Sequence, residues 1–173
     1  MSKIRFTEPN REILARRDSI INDLTRLVDP AGLITSTDEC RAYETDALTA
    51  YRKMPLAVVL PKTTEEVSAV LKYCHDTGVK VVPRGAGTSL AGGAIPSEDA
   101  VVLGLSKMNR VLAVNYDDRF IRVEAGVTNL SVTAVVAENG FFYAPDPSSQ
   151  LACTIGGNIA NNSGGAHCLK YGV

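Results

Sequence analysis

Residues 56–94 read LAVVLPKTTEEVSAVLKYCHDTGVKVVPRGAGTSLAGGA, and the pattern changes character three times along them. Leu56–Leu60 is an unbroken apolar run between Pro55 and Pro61, which predicts a buried strand. Thr63 and Glu66 have the T-x-x-E spacing of a capping box, with Val67, Val70, Leu71 and Cys74 at helical spacing behind it. Gly78 stands where such a helix would end in a left-handed residue. Val79, Val81 and Val82 then read as a second strand, so that strand, capped helix and strand form a βαβ unit with parallel strands. A glycine-rich loop, Pro83 to Ala94, follows that second strand directly.

Working outward, Ala100–Leu105 predicts a further strand. Val111–Asn115 and Phe120–Glu124 alternate around the polar turn Tyr116-Asp117-Asp118-Arg119, as in a hairpin. A helix is expected from a Thr128 cap to Asn139, ended by Gly140, and a second glycine-rich segment occupies 145–165. Upstream, Ile13, Leu14, Ile20, Ile21, Leu24, Leu27 and Val28 make a helical stripe over 11–28, closed by Asp29-Pro30. A polar stretch, Thr35 to Lys53, holds a short helix around Asp38–Tyr43. The fold class is α+β: a small βαβ(β) unit followed by a mostly antiparallel one.

Composition narrows the function. Eighteen basic against nineteen acidic residues leave a net charge of −1, which gives no footing for nucleic acid or an anionic membrane. The apolar runs are too short for a transmembrane segment, and the N-terminus lacks the apolar core of a secretory signal. A cytoplasmic location is therefore expected. Cys40, Cys74, Cys153 and Cys168 have no C-x-x-C spacing and read as buried thiols. Cys74-His75 and His167-Cys168 are sequence neighbours, unlike zinc ligands two to four apart, so no metal site is expected.

The two glycine-rich loops carry the chemistry. The first fails the Rossmann pattern, because a count from Gly85 needs glycine where Leu90 stands. It also fails the Walker A pattern, which needs lysine at Gly93. Its glycines nevertheless let successive amides converge on an anion, and Thr88 and Ser89 add hydroxyls. Arg84 reads as a phosphate partner or a structural ion pair. A permissive surface loop has the same composition. In the second segment Asp146 is the only charge. Gly156-Gly157 could open a helix over Asn158–Ser163 with free N-terminal amides, beside the neutral donors Asn158, Asn161 and Asn162. Two neutral, amide-rich loops favour a large anionic ligand such as a dinucleotide.

PRGAGTSLAGGA after strand-helix-strand resembles the pyrophosphate loop of vanillyl-alcohol-oxidase (PCMH)-type FAD-binding domains. APDPSSQLACTIGGNIANNSGGAHCLKYG resembles their second flavin-contacting segment. With YETDALTAYRKMPLAVVLP, these stretches are similar to the FAD-binding subunit of bacterial glycolate oxidase and its D-lactate dehydrogenase relatives. The resemblance implies a helical extension at 1–53 and an FAD-binding domain at 54–173. The N-terminal βαβ subdomain and part of the second subdomain would be present, the last strands and the cap domain absent. It implies that Pro83, Arg84, Gly85, Ala86, Gly87, Thr88 and Ser89 wrap the pyrophosphate, with Gly92 and Gly93 nearby. Pro145, Asp146, Ser149, Thr154, Gly156, Gly157, Asn158, Asn161 and Gly165 would line the other side.

Some members of the resembling family tether flavin through a histidine at the position of Thr88, and others through a cysteine at the position of Ala152. Neither is present, and Cys153 is one place off, so the resemblance implies non-covalent FAD. The implied activity is oxidation of a small 2-hydroxy acid, with hydride passing from Cα to flavin N5 and a base taking the hydroxyl proton. No catalytic base stands out: His75 falls on the outer helix and His167 is near the flavin segment. The isolated chain is expected to be inactive. Iron–sulfur and second flavin-domain subunits are the implied partners, through which the chain would sit peripherally at the inner membrane. The competing reading is a non-catalytic nucleotide-binding or docking module.

Overall fold

The computed structural model describes residues 6–172. The first five residues of the expected 1–53 extension and Val173, the last of the expected FAD-binding domain, lie outside the described residues. The N-terminal stripe forms two helices, α1 (Arg11–Ala15) and α2 (Arg17–Leu24), with a break at Arg16. The helical path ends at Leu24, earlier than Asp29-Pro30. Arg26 and Leu27 donate to the carbonyls three residues back, Asp23 and Leu24, which tightens the chain out of the α-helix. Ile13, Ile20, Leu24 and Val28 are nevertheless all buried in one cluster, as the stripe requires.

A short strand β1 (Leu33–Ile34) and helix α3 (Thr37–Cys40) lead to β2 (Ala57–Val59), α4 (Thr64–Thr77), β3 (Lys80–Arg84) and β4 (Ala100–Gly104). The Thr63 hydroxyl accepts the Glu66 amide at 3.2 Å, and Gly78 closes α4 at φ 73°. The Glu66 carboxylate reaches back one residue beyond the cap, to the amide of Lys62 at 2.6 Å. The sheet order is β1-β2-β4-β3: β2 and β3 are parallel, but β4 lies between them and pairs with both. Burial explains the insertion. Every residue of β4 is buried, so it takes the central place, while the half-exposed β3, with Pro83 in it, takes an edge. Ile20, Leu24, Val70 and Cys74 cover one face with Val59 and Val101. Cys40 packs with Val58 and Val102 on the other.

Asp99 ties these parts together. It is fully buried and accepts from the Asn10 amide at 2.8 Å, the Ser97 hydroxyl at 2.6 Å and Lys80 Nζ at 2.8 Å. Burial pushes this carboxyl up, but the three donors together outweigh it and hold the pKa at about 2.

The second unit begins with the hairpin β5 (Val111–Asn115) and β6 (Phe120–Val123), antiparallel as expected. Arg119 takes φ 55° in the turn, and Asn115 Oδ1 accepts the Asp118 amide at 2.8 Å. Glu124 closes the open end, gripping Arg110 Nη2 at 2.7 Å and its amide at 2.8 Å. Helix α5 (Asn129–Val136) continues as a tight turn to Asn139, and Gly140 ends it at φ 76°. Two short helices follow, α6 (Ile155–Asn161) and α7 (Cys168–Tyr171).

Candidate functional site

The two glycine-rich segments meet. Between β3 and α6 they enclose a cleft of about 330 Å³ lined by Pro83, Arg84, Gly85, Ala86, Gly87, Thr88, Ser89 and Gly93 from the first. Ser149, Cys153, Thr154, Gly156, Gly157, Asn158 and Asn161 come from the second. Gly92, Pro145, Asp146 and Gly165 of the expected set do not line it. Ala125 and Leu105 do, from the junction of the two units, and single-sequence patterns gave no sign of them.

The first wall is a run of open amides. Among the described residues, no hydrogen bond is made by the N–H groups from Gly85 to Leu90. Gly87 is at φ 72°, and a Cβ there would overlap the Arg84 guanidinium. A Cβ on Gly85 would come within 2.6 Å of Thr154 Oγ1 on the facing wall, so the two segments approach as backbones.

The second wall differs from its expected form. Its helix starts at Ile155, with Thr154 as N-cap and Gly156-Gly157 inside the first turn. The N-terminal amides are not free: Ile155 donates to Val127 O at 2.8 Å, Gly156 to Ala125 O at 2.9 Å and Gly157 to Thr154 Oγ1 at 3.2 Å. This corrects the expected helix over Asn158–Ser163 and its open terminus. The physical reason is the close approach of Gly156 to Ala125, which docks the helix start on the chain just after β6 and satisfies it there. What the wall presents is side chains. Asn161 Nδ2 donates to Gly157 O at 3.0 Å. Asn158 is buried, and its Nδ2 has no partner among the described residues.

Both charged groups of the expected set are engaged. Arg84 Nη1 donates to Thr45 O at 2.7 Å, and the guanidinium lies 5.6 Å from the Tyr43 ring centre. Asp146 accepts the His167 amide at 3.2 Å and meets its Nδ1 at 2.6 Å. Cys153 is buried in the wall, while Cys74, far from it on α4, has its thiol pushed up to about 11 by burial. No group of three or more His, Cys, Asp or Glu among the described residues could hold a metal ion. No helix among them is long and apolar enough to cross a membrane.

Open amides on one wall, neutral amide and hydroxyl side chains on the other, and an orphaned buried donor fit the pyrophosphate and polar edges of a dinucleotide. On a mostly parallel four-stranded sheet joined to an antiparallel unit, that cleft defines the class as a dinucleotide-binding domain. A family model described as "FAD binding domain" matches residues 55–173. The chain belongs to this FAD-binding domain family, and FAD is its cofactor.

Relatives agree. The glycolate oxidase subunit GlcD of Escherichia coli (strain K12) is 48% identical over 157 residues, which are 91% of this chain and 32% of that protein. The D-lactate dehydrogenase of Archaeoglobus fulgidus is 39% identical over 156 residues, 90% of this chain and 34% of that protein. The chain thus spans about a third of the length of the relatives it matches. Among solved structures, alkyldihydroxyacetonephosphate synthase shares the fold at a TM-score of 0.82 and 22% identity, covering 98% of this chain and 32% of that one.

Proposed function

We propose that this chain serves as the FAD-holding part of a flavin-dependent 2-hydroxy-acid oxidoreductase, with the cofactor bound non-covalently. The observation that carries the reading is the run of unbonded amides from Gly85 to Ser89, on residues that line one cleft with a neutral second wall. When bound, FAD supplies the two-electron acceptor for hydride from the substrate Cα. The amides of the first loop hold the pyrophosphate, and the Thr88 and Ser89 hydroxyls add donors to it. Ser149, Asn158 and Asn161 meet the polar edges from the other wall. The close approach at Gly85 brings the first loop against Thr154 of the second segment, and that at Gly156 seats the second segment on Ala125. Pro145, Asp146 and Gly165 act one step back, by fixing the ends of the second segment, and Gly92 shapes the first loop. In this reading the helical extension spans 1–53 and the FAD-binding domain 54–173.

The relatives' names, glycolate oxidase and D-lactate dehydrogenase, support a small 2-hydroxy acid as substrate. The name of a subunit supports a complex, in which iron–sulfur and second flavin-domain subunits are the proposed partners. Cytoplasmic placement, peripheral at the inner membrane through those subunits, goes with that complex. Non-covalent binding is supported by Thr88 in the first loop and by the burial of Cys153 in the wall.

The test is a titration of the full chain with FAD, followed by flavin fluorescence and the visible spectrum. Saturable binding, with all colour released on denaturation, is expected. A folded chain that binds no FAD would leave the docking-module reading ahead. Colour retained by denatured protein would overturn the non-covalent assignment.

A further inference from the structure

The segment Tyr43–Leu48, between α3 and β2, braces the first glycine-rich loop from outside the cleft's own two segments. Ala47 donates its amide to Ser89 O at 3.1 Å. Thr45 O accepts Arg84 Nη1 at 2.7 Å, and Ala94 O, at the far end of the loop, lies 3.5 Å from the same nitrogen. Gly87 packs against the guanidinium, so the loop is folded over it. Next to Thr45, Asp46 is only 4% exposed. Its Oδ1 accepts the Leu48 amide at 2.8 Å, but its Oδ2 has no hydrogen-bond partner among the described residues. A buried, half-satisfied carboxylate needs an electrostatic reason to persist. No cation among the described residues pairs with it within 4 Å, but Arg84 lies beside it, bonded at 2.7 Å to the carbonyl of the neighbouring Thr45. Burial lowers the Arg84 pKa, and the Asp46 carboxylate offsets part of that cost.

Resting on the FAD reading above, we infer that Arg84 and Asp46 are positioning residues for the cofactor loop. Arg84 acts through the Thr45 carbonyl to hold residues 84–94 in the shape that leaves their amides open, and it is not the cation that meets the phosphates. Asp46 compensates the buried guanidinium, so the loop presents amide dipoles in place of a net charge. A guanidinium is suited to this because its planar fork serves several carbonyls and an aromatic face at once.

The two roles predict opposite results for Asp46. If Arg84 met the phosphates, Asp46→Asn would remove a competing carboxylate and tighten FAD binding. If Arg84 is a brace, Asp46→Asn leaves the guanidinium uncompensated and weakens binding, by about tenfold. FAD and riboflavin titrations of the full chain, at several salt concentrations, read this out. Arg84→Lys and Arg84→Met are both expected to weaken FAD, to reduce its preference over riboflavin, and to leave the salt dependence of affinity at the wild-type slope. The Asp46→Asn, Arg84→Met double variant should be no weaker than Arg84→Met alone. Tighter binding by Asp46→Asn, or Arg84→Lys retaining full affinity while Arg84→Met flattens the salt slope, would overturn the inference. Thermal unfolding shows which variants are folded, and if Asp46→Asn is not, the Arg84→Lys comparison decides. Failure of the wild-type chain to bind FAD would sink the parent reading instead, and is seen separately.

Discussion

In the first glycine-rich loop the amides from Gly85 to Leu90 remain unbonded, whereas those opening α6 in the second are all taken, by Val127, Ala125 and Thr154. The loops also hold their shapes differently. The first is braced from far away in sequence, by Thr45 and Ala47 along its length and by the buried Asp99 where it returns to the sheet. The second closes on itself: Asp146 donates its amide to Gly164 O at 3.1 Å, pairs with Gly165 as an isolated bridge, and binds His167. A loop whose polar groups must stay free for a ligand cannot be stabilised by them, so its order has to come from elsewhere in the chain. A wall that contributes side chains can use its own backbone.

Glycine substitutions should separate the two plans most sharply. Gly165 is at φ 82°, and a Cβ there would overlap the backbone carbonyl of Asp146. Gly165→Ala therefore sets backbone against backbone, and we expect a loss of about 3 kcal/mol and a melting temperature lower by roughly 10 °C. At Gly87 the overlap is with the end of a flexible side chain, Arg84, which can swing away. Gly87→Ala should cost only about 1–2 kcal/mol of stability for its left-handed φ, yet weaken FAD by tenfold or more through the displaced brace. Equal melting losses with unchanged FAD affinity at both positions would break the contrast.

Acid provides a second, smaller handle, since each loop is anchored by a carboxylate. Asp99 is fully buried with a folded pKa of about 2, against 3.8 as the ordinary value. A depressed carboxyl contributes stability above its unfolded pKa and loses it as pH falls through the folded one. The Asp99 contribution, about 2 kcal/mol, should be present above pH 4 and disappear between about pH 4 and 2. Asp146 is also held below the ordinary range, by the amide and then the ring of His167, but this pair is exposed and screened by salt. Unfolding followed from pH 6 to 2 should therefore show one salt-insensitive loss below pH 4, absent in Asp99→Asn. A low-pH loss that vanishes in 1 M salt would place the anchor at Asp146 instead.

Much of this arrangement is legible in the sequence. The capping box at Thr63, the stop at Gly78, the hairpin turn and the Gly140 stop are local signals, set by a few adjacent residues, and each appears where the pattern put it. The break at Arg16 and the tight exit after Leu24 kept the apolar stripe intact, so the periodicity could not reveal them. The place of β4 between β2 and β3 was hidden because pairing order is a contest between strands for burial. The Tyr43–Leu48 brace was invisible for a similar reason: Thr45 acts through its carbonyl, which every residue has. The free terminus expected at Gly156-Gly157 failed because its acceptors, Val127 O and Ala125 O, come from a different element. The two loops stand out in composition, and their pairing in one site follows from the family resemblance; which donors are open within it depends on long-range hydrogen bonds.

The smallest expected effect tests how far the self-closure of the second loop depends on a side chain. His167 is exposed, and its 2.6 Å contact with Asp146 is of the surface type that contributes little to stability. The Asp146–Gly164 amide bond and the bridge to Gly165 do not involve the ring and should survive its removal. His167→Ala is expected to lower the melting temperature by a few degrees at most and to change FAD affinity by no more than a few-fold. His167→Asn, which can return an N–H near the position of Nδ1, should recover most of either loss. FAD titration and thermal unfolding of the two variants measure this directly. If His167→Ala abolished FAD binding with an unchanged melting temperature, the imidazole would have to reach the cofactor itself. The second wall would then differ from the first more sharply still, holding its ligand with a group that the resting fold keeps occupied.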